Sequence, residues 1–472
     1  MEKRDHEQVE AEILEPYELH YTDLINLSSS SSSSSSKKEE LERVDDVMQT
    51  LGPLGPGLLT ITGVPKAAEL RGILLPLARK LALINNDDRK RILKEHGLGS
   101  DVSLKNPERS ASSFALQLKY VQSTSSDNDG DSSGEHSHVL DADSCHEFTD
   151  SEFMNLGSTF KELGICMMEL GLHLARLCDR AIGEQTIEQS ILNSSTAKGR
   201  LIHYHSTLDR LLLKEAAKRN GSGKKVARHP LTCHHGLGKS DVSEGVEGTP
   251  HRDSNLEHAN EVRPCKTSLS NLWQQWHYDY GIFTILTAPM FTSPCDQPKT
   301  EEEEEEEEDG CWNCPERQHP SPSGHTYLQI FDSNNSKIFL VRYPPDSFII
   351  QVGEWADIIS QGKLHSTLHS VSRPVNLANL SRETFVVFLQ PAWNETFAIS
   401  KYHTKTTNTY RGVDSVSEFF SQHHPGKQPP KIYQKVQEIV PPLSSRLKDG
   451  MTFAEFSCET TKQYYGSRGT QR

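Results

Sequence analysis

The chain has 472 residues, of which 34% are apolar and 24% charged, and a formal charge of −15. Such a length allows more than one domain's worth of core, and the low apolar share predicts polar insertions, about a quarter of the chain, diluting a folded remainder. The acidity argues against a general nucleic-acid binder, which needs a basic surface for phosphate, although part of it is the single run Glu301 to Glu308.

Residues 1–50 are polar and include the uninterrupted run Ser28 to Ser36, which cannot bury enough surface to offset its ordering entropy, so a disordered tail is predicted there. The opening MEKRDHEQVE lacks the apolar centre of a secretory leader, the cysteines are scattered without a dense framework, and no run of about 18 apolar residues exists to span a bilayer. These features lead to the expectation of a cytoplasmic chain, the nucleus being the alternative, with no membrane partner. Order is predicted from the loop Leu51 to Gly57, followed by a strand over Leu58 to Val64. Leu70, Ile73, Leu74, Leu77 and Leu81 then recur at helical spacing, with Pro76 expected to kink that helix or start another. An α/β lead-in over 51–210 is interrupted near 122–145 by a Ser, Asp and Gly stretch with the composition of a disordered loop. Leu156, Phe160, Leu163, Met167, Leu170, Leu174 and Leu177 form the stripe of a core-facing helix, and a short strand follows over Gly199 to His205.

Residues 211–272 read as a polar insertion. Its basic residues Lys218, Arg219, Lys224, Lys225 and Arg228 fit a solvated loop better than an import signal or a phosphate patch. His251-Arg252-Asp253 resembles a kinase catalytic triplet, but no apolar strand follows it and no glycine-rich phosphate loop accompanies it. Trp276 to Leu286 reads as one strand in which His277 and Asp279, two residues apart, share a face and present imidazole and carboxylate side by side. A second insertion near 292–324 holds the glutamate run and Cys311-Trp312-Asn313-Cys314, which with Cys295, His319 or His325 has half of what a zinc site needs. Short strands are predicted over Tyr327 to Phe331, Lys337 to Tyr343 and Phe348 to Val352. His365 and His369 lie four apart, so strand periodicity does not choose between them, and Arg382 and Thr384 share a face of the late strand Ser381 to Leu389. Residues 401–472 form an expected helical extension, with a capping box at Thr452 to Glu455.

Two histidines and a carboxylate with open metal positions make the facial triad of non-haem Fe(II) oxygenases. The ordered set His-x-Asp, distant His and Arg-x-Thr resembles the plant-type, isopenicillin-N-synthase-like branch of the 2-oxoglutarate and Fe(II)-dependent dioxygenase superfamily. HYDYGIFTIL is similar to that family's HxDxGxxTxL strand, LHSVSRP to its HxV segment, and FVVFLQP to the strand closing its barrel. The match is carried by Trp273 to Ser400, with a weaker lead-in from Leu51.

This resemblance implies a mainly β, double-stranded β-helix (jelly-roll) core over 273–400 with flanking α-helices from the N-terminal region. It implies His277, Asp279 and His369 as metal ligands, His369 being preferred to His365 because it precedes Ser370-Val371 as in the family's pattern. Arg382 would pair with the distal carboxylate of 2-oxoglutarate through its planar guanidinium, aided by the Thr384 hydroxyl where the family more often has serine. Tyr204 stands where the family often has a cosubstrate-binding tyrosine, a plain packed tyrosine being the alternative. The cofactors implied are Fe(II), 2-oxoglutarate as cosubstrate and O2, with ascorbate as an optional accessory. The reaction would oxidise an organic substrate, by hydroxylation or desaturation, with release of succinate and CO2. The C-terminal segment is a lid or an exterior packing element. A catalytically silent jelly roll used for binding or scaffolding is the alternative function, and a cupin-like metal site without an oxo acid a third. By analogy the substrate is a small molecule. No motif fixes its identity or the oligomeric state.

Overall fold

In the late strand Ser381–Leu389, Phe385, Val387 and Leu389 turn one way and Val386 the other, and all are buried, which requires a packed layer on each side. The computed structural model supplies both layers. It describes residues 8–29, 37–120 apart from 101, 103, 105, 107 and 108, 151–221, 265–293 apart from 269 and 270, 317–397 apart from 333–336, 376 and 378, and 434–465 apart from 435 and 437. The described strands are, in chain order, β1 (Gln8–Leu14), β2 (Glu18–His20), β3 (Leu58–Thr62), β4 (Ala111–Lys119), β5 (Thr196–Tyr204), β6 (Cys265–Ser268), β7 (Leu272–His277), β8 (Phe283–Thr287), β9 (Met290–Ser293), β10 (Arg317–His319), β11 (Leu328–Asp332), β12 (Lys337–Val341), β13 (Phe348–Val352), β14 (His369–Ser372) and β15 (Ser381–Leu389).

A six-stranded sheet, ordered β6-β1-β12-β11-β14-β7, faces a nine-stranded one, ordered β10-β9-β15-β8-β13-β3-β2 with β5 and then β4 branching from β15. Between them Leu58, Leu286, Ile349 and Val386 of the larger sheet meet Trp273, Leu328, Ile330, Val341 and Val371 of the smaller. The outer face of the larger sheet, with Phe283, Ile285, Phe348, Ile350 and Phe385, is covered by the helices Ala67–Leu83 and Leu156–Ile182. The leucine stripe predicted for the second of these is buried there. Pro76 lies inside the first, with Leu74, Leu75, Leu77 and Ala78 buried on both sides of it. One helix thus runs through Pro76, and the expected new start does not occur. Helical residues outnumber strand residues among the described ones, so the chain is a mixed α and β structure rather than mainly β.

Residues 8–29 and 37–50 of the predicted tail are instead built into the fold. β1 runs parallel to β12 and antiparallel to β6, and β2 pairs with β3. The helices Tyr21–Ser28 and Lys37–Leu51 bury Leu24, Leu27, Val47 and Leu51 in the outer layer. The serine run outweighed the apolar positions around it, and 30–36 lie outside the described residues. The predicted insertion 211–272 likewise contributes β6 and the end of the helix Thr207–Gly221. The loop near 122–145, the His251-Arg252-Asp253 triplet, the glutamate run and Cys295, Cys311 and Cys314 lie outside the described residues.

At the C-terminal end, Glu455 N–H donates to Thr452 Oγ1 at 3.3 Å and Thr452 N–H to Glu455 Oε2 at 2.8 Å, the predicted capping box, opening the helix Phe453–Tyr465. Val436, Val440 and Tyr464 pack on Trp276, Phe331, Ile338 and Leu340, on the outer face of the smaller sheet. Tyr464 Oη also accepts from Tyr278 N–H at 3.2 Å, beside His277 and Asp279.

Candidate metal centre

β7 and β14 are antiparallel neighbours, and His277 stands directly opposite His369. Val371 faces the interior, so alternation turns His369 inward, and His277 stands opposite it beyond a register shift between the two strands, with ring centroids 4.3 Å apart. Nδ1 of His277 lies 2.7 Å from the Gln275 carbonyl oxygen, and Nδ1 of His369 lies 3.0 Å from that of Thr367. A carbonyl can only accept, so each ring donates from Nδ1 and presents the lone pair of Nε2.

Asp279 reaches the same place by a different route from the one its spacing suggests. Trp276 to Leu286 is not one strand: β7 ends at His277, and residues 278–282 cross from the smaller sheet to β8 of the larger. Asp279 sits in that crossing. Its carboxylate is oriented by Thr284, whose Oγ1 donates to Oδ2 at 2.7 Å. The crossing is tied by the helix Glu354–Ile359, which has no side-chain N-cap. Its unsatisfied N–H groups use the crossing instead: Glu354 N–H donates to Asp279 O at 2.8 Å and Trp355 N–H to Gly281 O at 3.0 Å. A Cβ at Gly353 would lie 2.3 Å from Gly281 O, and one at Gly281 would lie 2.7 Å from Leu389 O, so both positions need glycine for close backbone approach.

One ligand atom each of His277, Asp279 and His369 lies within 4.8 Å of the others, with His277 Nε2 3.7 Å from Asp279 Oδ1 and His369 Nε2 3.6 Å from Asp279 Oδ2. Their side chains are 15%, 13% and 7% exposed, so the centre is largely buried but keeps some solvent access. Burial and the neighbouring His369 push the His277 pKa down to about 4, against the pull of Asp279, and keep it in the neutral form that can ligate. Two imidazoles and a carboxylate, with Nε2 turned toward the centre, fit a divalent iron.

Arg382 lies on the interior face of β15, 1% exposed and opposite Tyr204 of β5. Its Nε donates to Thr326 O at 3.1 Å, its guanidinium stands 5.3 Å from the Tyr204 ring centre, and it has no ion-pair partner among the described residues. Burial raises the Tyr204 pKa and Arg382 lowers it, while Asp279 acts on the phenol from the metal side, so Tyr204 is electrostatically linked to both. The Thr384 hydroxyl donates to Thr287 O at 3.3 Å and is engaged within the sheet. His365 is not on a strand. It precedes β14 and lies 3.9 Å from Asp357 Oδ2, outside the cluster, so the fold makes the choice that periodicity left open.

Sequence reasoning gave Thr284 and Gly281 no role, although both are letters of the HYDYGIFTIL motif. It missed altogether a second cluster, His203, His205 and Asp209, on the far side of β5 from Tyr204. The pair His203-x-His205 at a strand end was its available signal. Those residues are sealed under the helix layer, with no open side for a cosubstrate, so they do not compete with the open centre.

No protein-family model and no curated protein matches the chain. Among solved structures it is similar to a full-length Neurospora crassa protein in complex with alpha-KG and 5-formyluracil, at 12% identity over 89% of this chain and 99% of that one, with a TM-score of 0.44. It is similar also to the dioxygenase for auxin oxidation of rice, at 15% identity over 81% and 85% of the two chains and a TM-score of 0.41. JOX2 in complex with 2OG, Fe and JA is similar at 12% identity over 96% and 86%, with a TM-score of 0.44. With TM-scores below 0.5, these likenesses assign no residue of this chain.

Proposed function

We propose that this chain is a dioxygenase of the jelly-roll type that uses Fe(II), 2-oxoglutarate and O2 to hydroxylate or desaturate a small organic molecule, releasing succinate and CO2. The observation that carries this reading is the meeting of His277, Asp279 and His369 at an open centre whose interior also holds the buried, carboxylate-free guanidinium of Arg382. A buried cation without a counter-ion is costly, and a dicarboxylic cosubstrate supplies the missing charge.

His277, Asp279 and His369 hold the metal, and the bound metal with its oxo acid supplies the oxidising chemistry. The protein's share is geometric. The Gln275 and Thr367 carbonyls set the imidazole tautomers, and Thr284 fixes the Asp279 carboxylate. Thr326 O and the Tyr204 ring hold the plane of Arg382 so that both Nη groups are free to receive a carboxylate. Leu286, Ile349, Val386 and Val371 form apolar walls that exclude water from the reacting centre.

The test is succinate formation by the purified full-length protein given Fe(II), 2-oxoglutarate and air, without added substrate, against an Asp279→Ala control. Slow uncoupled turnover that disappears in the control is expected. No succinate from protein with iron verified in place would leave a binding or scaffold protein.

A further inference from the structure

We propose that His203, His205 and Asp209 form a second, closed metal site that holds a zinc-class divalent cation. One ligand atom from each lies within 4.8 Å of the others, and two imidazoles with a carboxylate suit zinc. The local chain brings them together: His203 and His205 are two apart at the end of β5 and share its outer face, and Asp209 stands in the first turn of the helix Thr207–Gly221.

One feature distinguishes the cluster from an ordinary buried ion network. His203 and His205 are 0% and 1% exposed, yet His205 Nδ1 has no hydrogen-bond partner among the described residues. Such atoms are rarely orphaned in native proteins. His203 Nε2 lies 3.3 Å from Asp209 Oδ2, within ion-pair distance, so the orphaned atom of the cluster is His205 Nδ1.

Each ligand is also braced from behind, as metal ligands are. Glu383 Oε1 is 2.8 Å from His203 Nδ1, Ser112 Oγ is 3.0 Å from His205 Nε2, and Arg79 Nη2 donates to Asp209 Oδ1 at 2.9 Å. Ser206 N–H donates to Asp209 Oδ2 at 2.8 Å, which leaves that oxygen further lone pairs. The sealed surroundings are those of a structural site, with three protein donors among the described residues where structural zinc usually takes four. The competitor is a proton on His203 between Glu383 and Asp209, and a cation entering the site releases it. His203 and Glu383 are register partners, as are their neighbours Tyr204 and Arg382, so the cation would brace the strand pair that carries the interior guanidinium.

The inference does not depend on the activity of the open centre, and its test is metal content. Full-length His277→Ala/Asp279→Ala protein, made in zinc-supplemented medium and passed through a chelator column, should retain about one equivalent of zinc by mass spectrometry. Adding His205→Ala should lower that at least about tenfold, and adding Cys311→Ser/Cys314→Ser should leave it in place. Absence of zinc from the parent variant, or its loss with the cysteines, would overturn the proposal in favour of a proton-held network. Should His205→Ala fail to fold, zinc-edge absorption of the parent variant decides: an imidazole and oxygen shell supports the site, and sulfur ligation overturns it.

Discussion

Thr284 does nothing but point Asp279. Replacing it with valine keeps the shape and removes the 2.7 Å bond to Oδ2. Affinity of the open centre for Fe(II) or Co(II) should then fall about 10–100-fold with the fold intact, as for other supports of metal ligands. An unchanged Kd in a metal titration would mean that Asp279 is held by its backbone alone. Arg382 can be isolated in a similar way. Lysine keeps the positive charge but loses the planar fork, so Arg382→Lys should raise KM for 2-oxoglutarate by about 10-fold or more while kcat changes less. A purely structural Arg382 would instead lower the melting temperature and leave KM alone.

The ligand crossing between the sheets is an element with no secondary structure of its own, held by the first turn of Glu354–Ile359 and by two glycines. A methyl group at Gly353 meets the carbonyl oxygen of Gly281 at 2.3 Å, and backbone on both sides has little freedom to yield. Gly353→Ala should therefore cost about 2–4 kcal/mol in chemical denaturation and displace Asp279, weakening metal binding as well. If stability falls while metal affinity is unchanged, the crossing is less tightly coupled to the helix than its backbone bonds indicate. The helix matters here because its free N–H groups find their acceptors in the crossing, so cap and ligand loop are one structure.

Across the whole molecule, the C-terminal extension is joined to the ligand-bearing core by one buried ion pair, Arg446 to Glu354, with bonds of 2.8 and 2.6 Å. Arg446→Met should destabilise the protein by about 3–5 kcal/mol, because it leaves the Glu354 carboxylate buried and unpaired. Thermal unfolding of this variant beside Glu354→Gln/Arg446→Met, which removes both charges, would separate the lost contact from the stranded charge. Asp357, three residues along the same helix, gives the fold a pH dependence. Burial raises its pKa from 3.8 to about 7, although Ser366 N–H and Oγ both donate to it at 3.0 Å. The folded state thus binds a proton that the unfolded state has lost, so this contribution to stability is present below about pH 4 and disappears as pH rises to about 7. The melting temperature should decline over that window, and the decline should be shallower in Asp357→Asn; identical slopes would assign it to other groups.

Residue types and short spacings already carried much of this protein. The alternation within β8, β13 and β15, the stripe of the helix Leu156–Ile182, the Thr452 capping box and the candidate ligand types His277, Asp279 and His369 are local properties, written in two- and four-residue periods. What needed the tertiary structure was every relation between distant segments. Only the cross-strand register sets His277 opposite His369, and only the change of sheet after β7 lets Asp279 meet them from a crossing rather than a strand. The pairing of β1 with β12 turned an apparent tail into part of a sheet, and the same pairing geometry hid His203 beneath Tyr204. Local sequence fixes the direction of a side chain relative to its own strand, but which chain lies beside that strand is decided by long-range burial and hydrogen bonding, and the candidate chemistry of this protein depends on that choice.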